Sequence, residues 1–251
     1  MRVTILGFGG WVSNPLFGQP AYLVEEGDAK ILLDCGEGTL EKLFKCTCLD
    51  VSDLSFILIT HAHGDHLLGL PTLIQRAKHL GKRLNVVAPP PVLDSISELL
   101  NTLQVPHYIN YVDATKLHPE VWVRLSENIH VKAINAIHPV PSFSYILRVG
   151  SKTVAYSGDT WPNDDFLSEA EDADVLIHEV SAPPGMIEEA RLHGHTPSEY
   201  VLDILRKTRP KYFIPTHYFI EPPQLILGKE PYSKSETHII FPAQCLSISI
   251  G

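Results

Sequence analysis

The stretch Thr60-His61-Ala62-His63-Gly64-Asp65-His66 limits what this chain can fold into more than any other. It follows an apolar, strand-like run over residues 54–59. It opens into a helix-like stretch over 67–80, with apolar residues at Leu67, Leu70, Leu73, Ile74 and Ala77. In an extended segment His61 and His63 project to one side, because side chains repeat every two residues. Gly64 permits a sharp turn, after which Asp65 and His66 fall in a first helical turn and are redirected. Seven residues thus supply three imidazoles and one carboxylate at the end of a buried strand, as two pairs aimed at neighbouring points. Burying that much polarity without a partner costs roughly several kcal/mol. Two metal ions close together suit the arrangement better than one.

Charge narrows the partners. The 251 residues carry 20 basic and 29 acidic side chains, a formal net charge of −9. A surface that holds a polyanion usually has the opposite bias. No apolar run reaches the roughly 20 residues that span a bilayer. Residues 1–8 read as a first strand, and Gly9, Gly10, Ser13, Asn14 and Pro15 follow too soon for a signal-peptide core. Four cysteines form no disulfide framework for a domain this large, so a cytoplasmic, reduced protein is expected. Gly7-Phe8-Gly9-Gly10 lacks both the GxGxxG order and a following helix, which excludes a dinucleotide site.

Strand and helix signals run through both halves. Residues 21–25 and 30–34 flank a hairpin turn at 26–29, and a short helix ends near Phe44. Residues 84–88, a breaker at Pro89-Pro90-Pro91 and a helix over 92–103 come next. The stretch 108–156 is mostly strand, and the last third alternates strand and helix. This pattern predicts an α/β fold with two packed sheets and helices outside, an αββα sandwich, as one domain over residues 1–251. The Pro-rich segment 221–235 reads as a long loop, a lid or an interface element.

Four ligands do not complete two metal sites, so others are expected at other strand ends. His138 follows the strand 129–137, Asp159 follows 153–156, and His217 follows 212–214. Each lies on a loop just past an apolar strand, the usual address for chemistry on a sheet scaffold. Phe8, Trp11, Phe17, Phe143, Tyr145, Trp161 and Tyr218 lie near these loops and form either an apolar mouth or core.

Together these segments resemble the metallo-β-lactamase superfamily, in its ribonuclease Z branch. His61-Ala62-His63-Gly64-Asp65-His66 matches the HxHxDH signature. Asp34-Cys35-Gly36-Glu37-Gly38-Thr39, Gly69-Leu70-Pro71, Ser157-Gly158-Asp159-Thr160, His178-Glu179 and Gly194-His195-Thr196 also match in order. The resemblance implies that His61, His63 and His138 bind one metal, that Asp65, His66 and His217 bind a second, and that Asp159 bridges them. Zinc is the expected metal, with manganese or iron as alternatives. Asp65 would also aim the attacking water, His195 would contact phosphate and protonate the leaving oxygen, and Glu179 would orient His195. His178 and His193 read as a packed strand residue and a solvated one.

The implied activity is hydrolysis of small-molecule or nucleotide phosphodiesters. A lactone, thioester or sulfate-ester hydrolase is the alternative, and a non-catalytic regulatory module a second. The family's tRNA-gripping arm is inserted between the equivalents of His138 and Asp159, which here are 21 positions apart. With the acidic charge, that spacing argues against tRNA as substrate. Arg76, Lys78, Lys82 and Arg83 read as a solvated helix end rather than an RNA-binding patch. Homodimerisation is common in the branch.

Overall fold

The computed structural model describes residues 1–112, 121–218 and 237–251; the expected loop at 221–235 lies outside them. The chain divides into two compact units, Met1–His118 with Ala243–Gly251, and Pro119–Pro242.

The first unit holds strands β1 (Arg2–Gly7), β2 (Ala21–Glu26), β3 (Ala29–Leu33), β4 (Phe56–Leu58), β5 (Leu84–Val87) and β6 (Ile109–Tyr111). Helices α1 (Thr39–Cys46), α2 (Gly64–Leu67), α3 (Leu70–His79) and α4 (Pro90–Thr102) accompany them, and the strand β14 (Leu246–Ser249) closes the chain. The sheet order is β14-β1-β2-β3-β4-β5-β6. Pairings from β14 to β3 are antiparallel and those from β3 to β6 parallel. The β2–β3 hairpin turns through Gly27, whose φ of 54° suits a residue without Cβ. Leu70, Leu73, Ile74 and Ala77 repeat at helical spacing and are buried with Leu32, Ile57 and Val86 from the strands. Each such Leu or Ile contributes roughly 1.5–3 kcal/mol of burial.

The second unit holds β7 (Trp122–Ser126), β8 (Ile129–Asn135), β9 (Phe143–Val149), β10 (Lys152–Tyr156), β11 (Val175–Glu179), β12 (Tyr212–Thr216) and β13 (His238–Ile239). Its helices are α5 (Asp164–Glu169), α6 (Ile187–His193) and α7 (Val201–Thr208). Its order is β13-β12-β11-β10-β9-β8-β7, parallel from β13 to β10 and antiparallel beyond. The stretch between His138 and Asp159 is filled by β9 and β10.

Three expectations are corrected. The single helix over 67–80 is two, broken at Gly69, where an added Cβ would lie 2.1 Å from the carbonyl of Gly36 and Pro71 supplies no N–H to the preceding turn. The helix expected from 92 begins at Pro90, since the first turn needs no intrahelical donor and takes both prolines. Cys46 and Cys245 are disulfide-bonded, 199 residues apart, while Cys35 is buried and Cys48 exposed as free thiols. The pairing arises because α1 packs beside β1 and β14 pairs with β1, a proximity no cysteine spacing records. Among the described residues, no helix is long and apolar enough to cross a membrane.

Candidate metal centre

In parallel sheets the backbone turns at the carboxyl ends of the strands collect functional side chains. In the first unit those turns follow β3 and β4. Asp34, directly after β3, is fully buried with φ 54°, a conformation Asp tolerates better than most residues. One oxygen of its carboxylate accepts from the Thr60 backbone N–H at 2.7 Å. The other accepts from the Thr60 hydroxyl at 2.9 Å and from His66 Nδ1 at 2.7 Å. A carboxylate only accepts, so His66 donates from Nδ1. Thr60 spends its single hydroxyl proton on Asp34 and therefore accepts from His61 Nδ1 at 2.9 Å. Asp34 belongs to the Asp34–Thr39 segment of the family resemblance, but only this geometry gives it a role.

The donors converge in pairs. His61 Nε2 and His63 Nδ1 are 3.0 Å apart, and His66 Nε2 and Asp65 Oδ2 are 3.5 Å apart. Two donors sharing one tetrahedral ion at about 2.0–2.1 Å would be separated by about 3.3 Å. His61, Asp65 and His66 are buried and His63 half-buried. Donor type, separation and burial all fit metal ligation.

In the second unit Asp159 follows β10, Glu179 ends β11, and His217 follows β12 with φ 65°. His217 Nε2 lies 3.2 Å from Asp159 Oδ2, again a shared-ion distance. Donor atoms of Asp159, His195 and His217 all lie within 4.8 Å of one another. The His195 ring stacks on His217 with centroids 5.4 Å apart and meets His138 edge-on at the same distance.

Gly194 explains part of this cluster. It ends α6 with φ 67°, and an added Cβ would sit 2.7 Å from the His138 Cα. The bare backbone lets its carbonyl accept from His138 Nδ1 at 3.1 Å, which fixes the orientation of that ring. Burial holds the His138 pKa below the usual histidine range, against the pull of Asp159, so the neutral, ligating form is favoured.

Glu179 is the hub. Its Oε1 accepts from His195 Nδ1 at 3.0 Å and from the Thr160 backbone N–H at 3.0 Å; its Oε2 accepts from Ser181. Thr160 adjoins Asp159, so one carboxylate orients His195 and the Asp159 loop together. Burial alone would raise its pKa, but the attraction and hydrogen bond of His195 outweigh that and hold the carboxyl below the usual range. His178 faces the other way, fully buried against Phe166. His193 is exposed.

Known proteins share this fold. A family model described as the beta-lactamase superfamily domain matches residues 29–218. A ribonuclease Z of Ignicoccus hospitalis is 27% identical over 267 residues, covering 86% of this chain and 87% of the relative. The zinc phosphodiesterase ELAC protein 2 homolog of Caenorhabditis elegans is 27% identical over 272 residues, covering 89% of this chain and 32% of that longer protein. The crystal structure of the short form of human tRNase Z superimposes with a TM-score of 0.81 at 24% identity, covering 100% of both chains. The fold is thus the αββα sandwich of the metallo-β-lactamase kind.

Proposed function

This chain belongs to the β-lactamase superfamily, and from that premise we propose that it is a dinuclear metal-dependent phosphodiesterase of the ribonuclease Z-like type. The observation that carries the reading is the state of the imidazoles. His61, His66 and His138 each commit Nδ1 to a partner within the fold, which fixes the ring and turns Nε2 the other way. In this proposal His61, His63 and His138 hold one ion, Asp65, His66 and His217 hold the other, and Asp159 serves both. Residues 1–251 act as one functional domain. Zinc suits the imidazole and carboxylate donors, with manganese and iron as alternatives. Two divalent ions in such a site lower the pKa of water and offset charge on a phosphodiester in the transition state.

The side chains complete the chemistry. Asp65 directs the attacking water. His195, with Nδ1 committed to Glu179, holds a proton on Nε2, and the Glu179 carboxylate stabilises the imidazolium. That proton passes to the leaving oxygen when the P–O bond breaks.

Small diesters fit the surface better than tRNA. Arg76 is paired with Asp50, Lys82 with the carbonyls of Ser52 and Leu54, and Arg83 with Asn110 and nearby carbonyls. Binding folded RNA relies on many lysine and arginine contacts to phosphates, and three of the four candidates are engaged in the fold. A homodimer is proposed on the resemblance. A cytoplasmic location is proposed from the low cysteine count, and the Cys46–Cys245 bond weighs against it.

The test compares kcat/KM for a chromogenic phosphodiester with site-specific cleavage of a precursor tRNA, at physiological salt, with and without chelator. Chelator-sensitive turnover of the diester and poor cleavage of the tRNA are expected. Efficient, accurate tRNA cleavage would overturn the substrate preference. Hydrolysis of a lactone or thioester alone would overturn the phosphodiesterase reading.

A further inference from the structure

Seven aromatic side chains cluster near the site loops in sequence, and the fold sorts them. Phe8, Phe17, Phe143, Tyr145 and Tyr218 are buried, and Trp161 packs edge-on against Tyr200 with centroids 5.2 Å apart. Trp11 differs. It is 63% exposed, and its indole meets the His63 ring edge-to-face at 5.5 Å. The largest apolar side chain of the β1–β2 loop therefore stands in water beside a candidate metal ligand.

The loop that carries it is held. Phe8 and Phe17 pack at 5.2 Å across its base, where the Phe8 and Gly9 amides donate to the carbonyls of Phe17 and Gly18. Within it, the Asn14 carbonyl accepts from the Phe17 and Gly18 amides, and Asn14 Oδ1 accepts from the Leu16 amide. Gln244 donates to the Pro15 carbonyl from near the C-terminal end. Exposure of Trp11, with Val12 at 47% and Leu16 at 76%, is thus a property of an ordered loop and not of a frayed one.

We infer that Trp11 is a stacking platform for a planar ring of the substrate, and that the substrate is a nucleobase-bearing phosphodiester. The inference rests on the phosphodiesterase reading and deepens it. An indole offers a flat apolar face that a base can cover, and its contact with His63 sets the indole beside a residue that would hold one ion in the proposed function. Stacking of a base on an aromatic residue is sequence-tolerant. Trp11 would therefore select for the presence of a base rather than for its identity.

The test uses metal-replete full-length protein, Trp11→Ala and Trp11→Phe. Two chromogenic diesters share one leaving group: the p-nitrophenyl ester of thymidylate, and methyl p-nitrophenyl phosphate, which has no base. Trp11→Ala is expected to lower kcat/KM for the thymidylate ester roughly 10–100-fold, mainly through KM, the size of one base–aromatic stack. Trp11→Phe should recover most of that loss, and the methyl ester should lose at least fivefold less than the thymidylate ester. Equal losses on both esters would make Trp11 a support for His63 instead and overturn the inference, as would no loss on either. Failure of wild type to hydrolyse either ester sinks the phosphodiesterase reading separately. Binding then decides for Trp11: thymidine monophosphate should quench tryptophan emission saturably in wild type, and the quench should vanish in Trp11→Phe. Absence of quenching in wild type, or its persistence in Trp11→Phe, overturns the inference.

Discussion

Replacing Asp34 by Asn isolates the link between the fold and the metal ligands. Asn tolerates the left-handed backbone at this position about as well as Asp, so the change adds little strain. Its Oδ1 can keep the 2.7 Å bond from the Thr60 N–H, but an NH₂ group replaces the oxygen that accepts from the Thr60 hydroxyl and from His66 Nδ1. The Thr60 hydroxyl can turn to Oδ1, 3.1 Å away, but His66 Nδ1 then faces a donor. The ring can relieve this by moving its proton to Nε2, which removes the lone pair that would bind the ion. Loss of such an orienting carboxylate typically weakens a metal site roughly 10–100-fold, or about 1.4–2.7 kcal/mol. The buried donor facing a donor adds about 1–3 kcal/mol of lost stability in the metal-free protein. Competition with a chromophoric zinc chelator reads the first effect and urea unfolding the second. In a His66→Ala background, Asp34→Asn should add little further loss of metal affinity, because the two changes remove one interaction. Wild-type affinity for both ions in Asp34→Asn, or full additivity with His66→Ala, would refute the reasoning.

Four further outcomes are expected. Elemental analysis should find about two ions per chain, and Asp159→Asn should weaken both sites, whereas His217→Ala should mainly empty one. His195→Ala should lower turnover roughly 10²–10⁴-fold at normal metal content; loss of metal in that variant would make His195 a ligand. Burial lowers the His178 pKa, so the folded state binds its proton less readily than the unfolded state does. Its stabilising contribution is complete above the unfolded value of about 6.5 and declines as pH falls below it. Thermal unfolding of wild type should thus lose more between pH 7 and 5 than that of His178→Gln, and parallel profiles would contradict this. Cys46→Ser should cost about 2–5 kcal/mol in denaturant unfolding without reductant, and reductant should bring wild type to the same midpoint; coincident curves before reduction would show the bond contributes nothing.

Much of the site was legible in the chain itself. His61, His63, Asp65 and His66 lie within six residues, and strand and turn geometry alone redirects them in pairs, because neighbours in sequence have few conformations to choose from. Apolar runs likewise placed His138, Asp159 and His217 just past strand ends, where the structure has them. The family followed from the order of short segments. What the sequence could not determine depends on which distant segments meet. Asp34 orients His66 from 32 positions away, and Glu179 reaches back to Thr160 and forward to His195. The break at Gly69 comes from the carbonyl of Gly36, and the Cys46–Cys245 bond closes 199 residues. Phe17 and Trp11 share one loop and one chemical character, yet one is buried and the other stands in water. Burial and hydrogen-bond partnership are properties of a surface closing on itself in three dimensions, and only the tertiary structure assigns them.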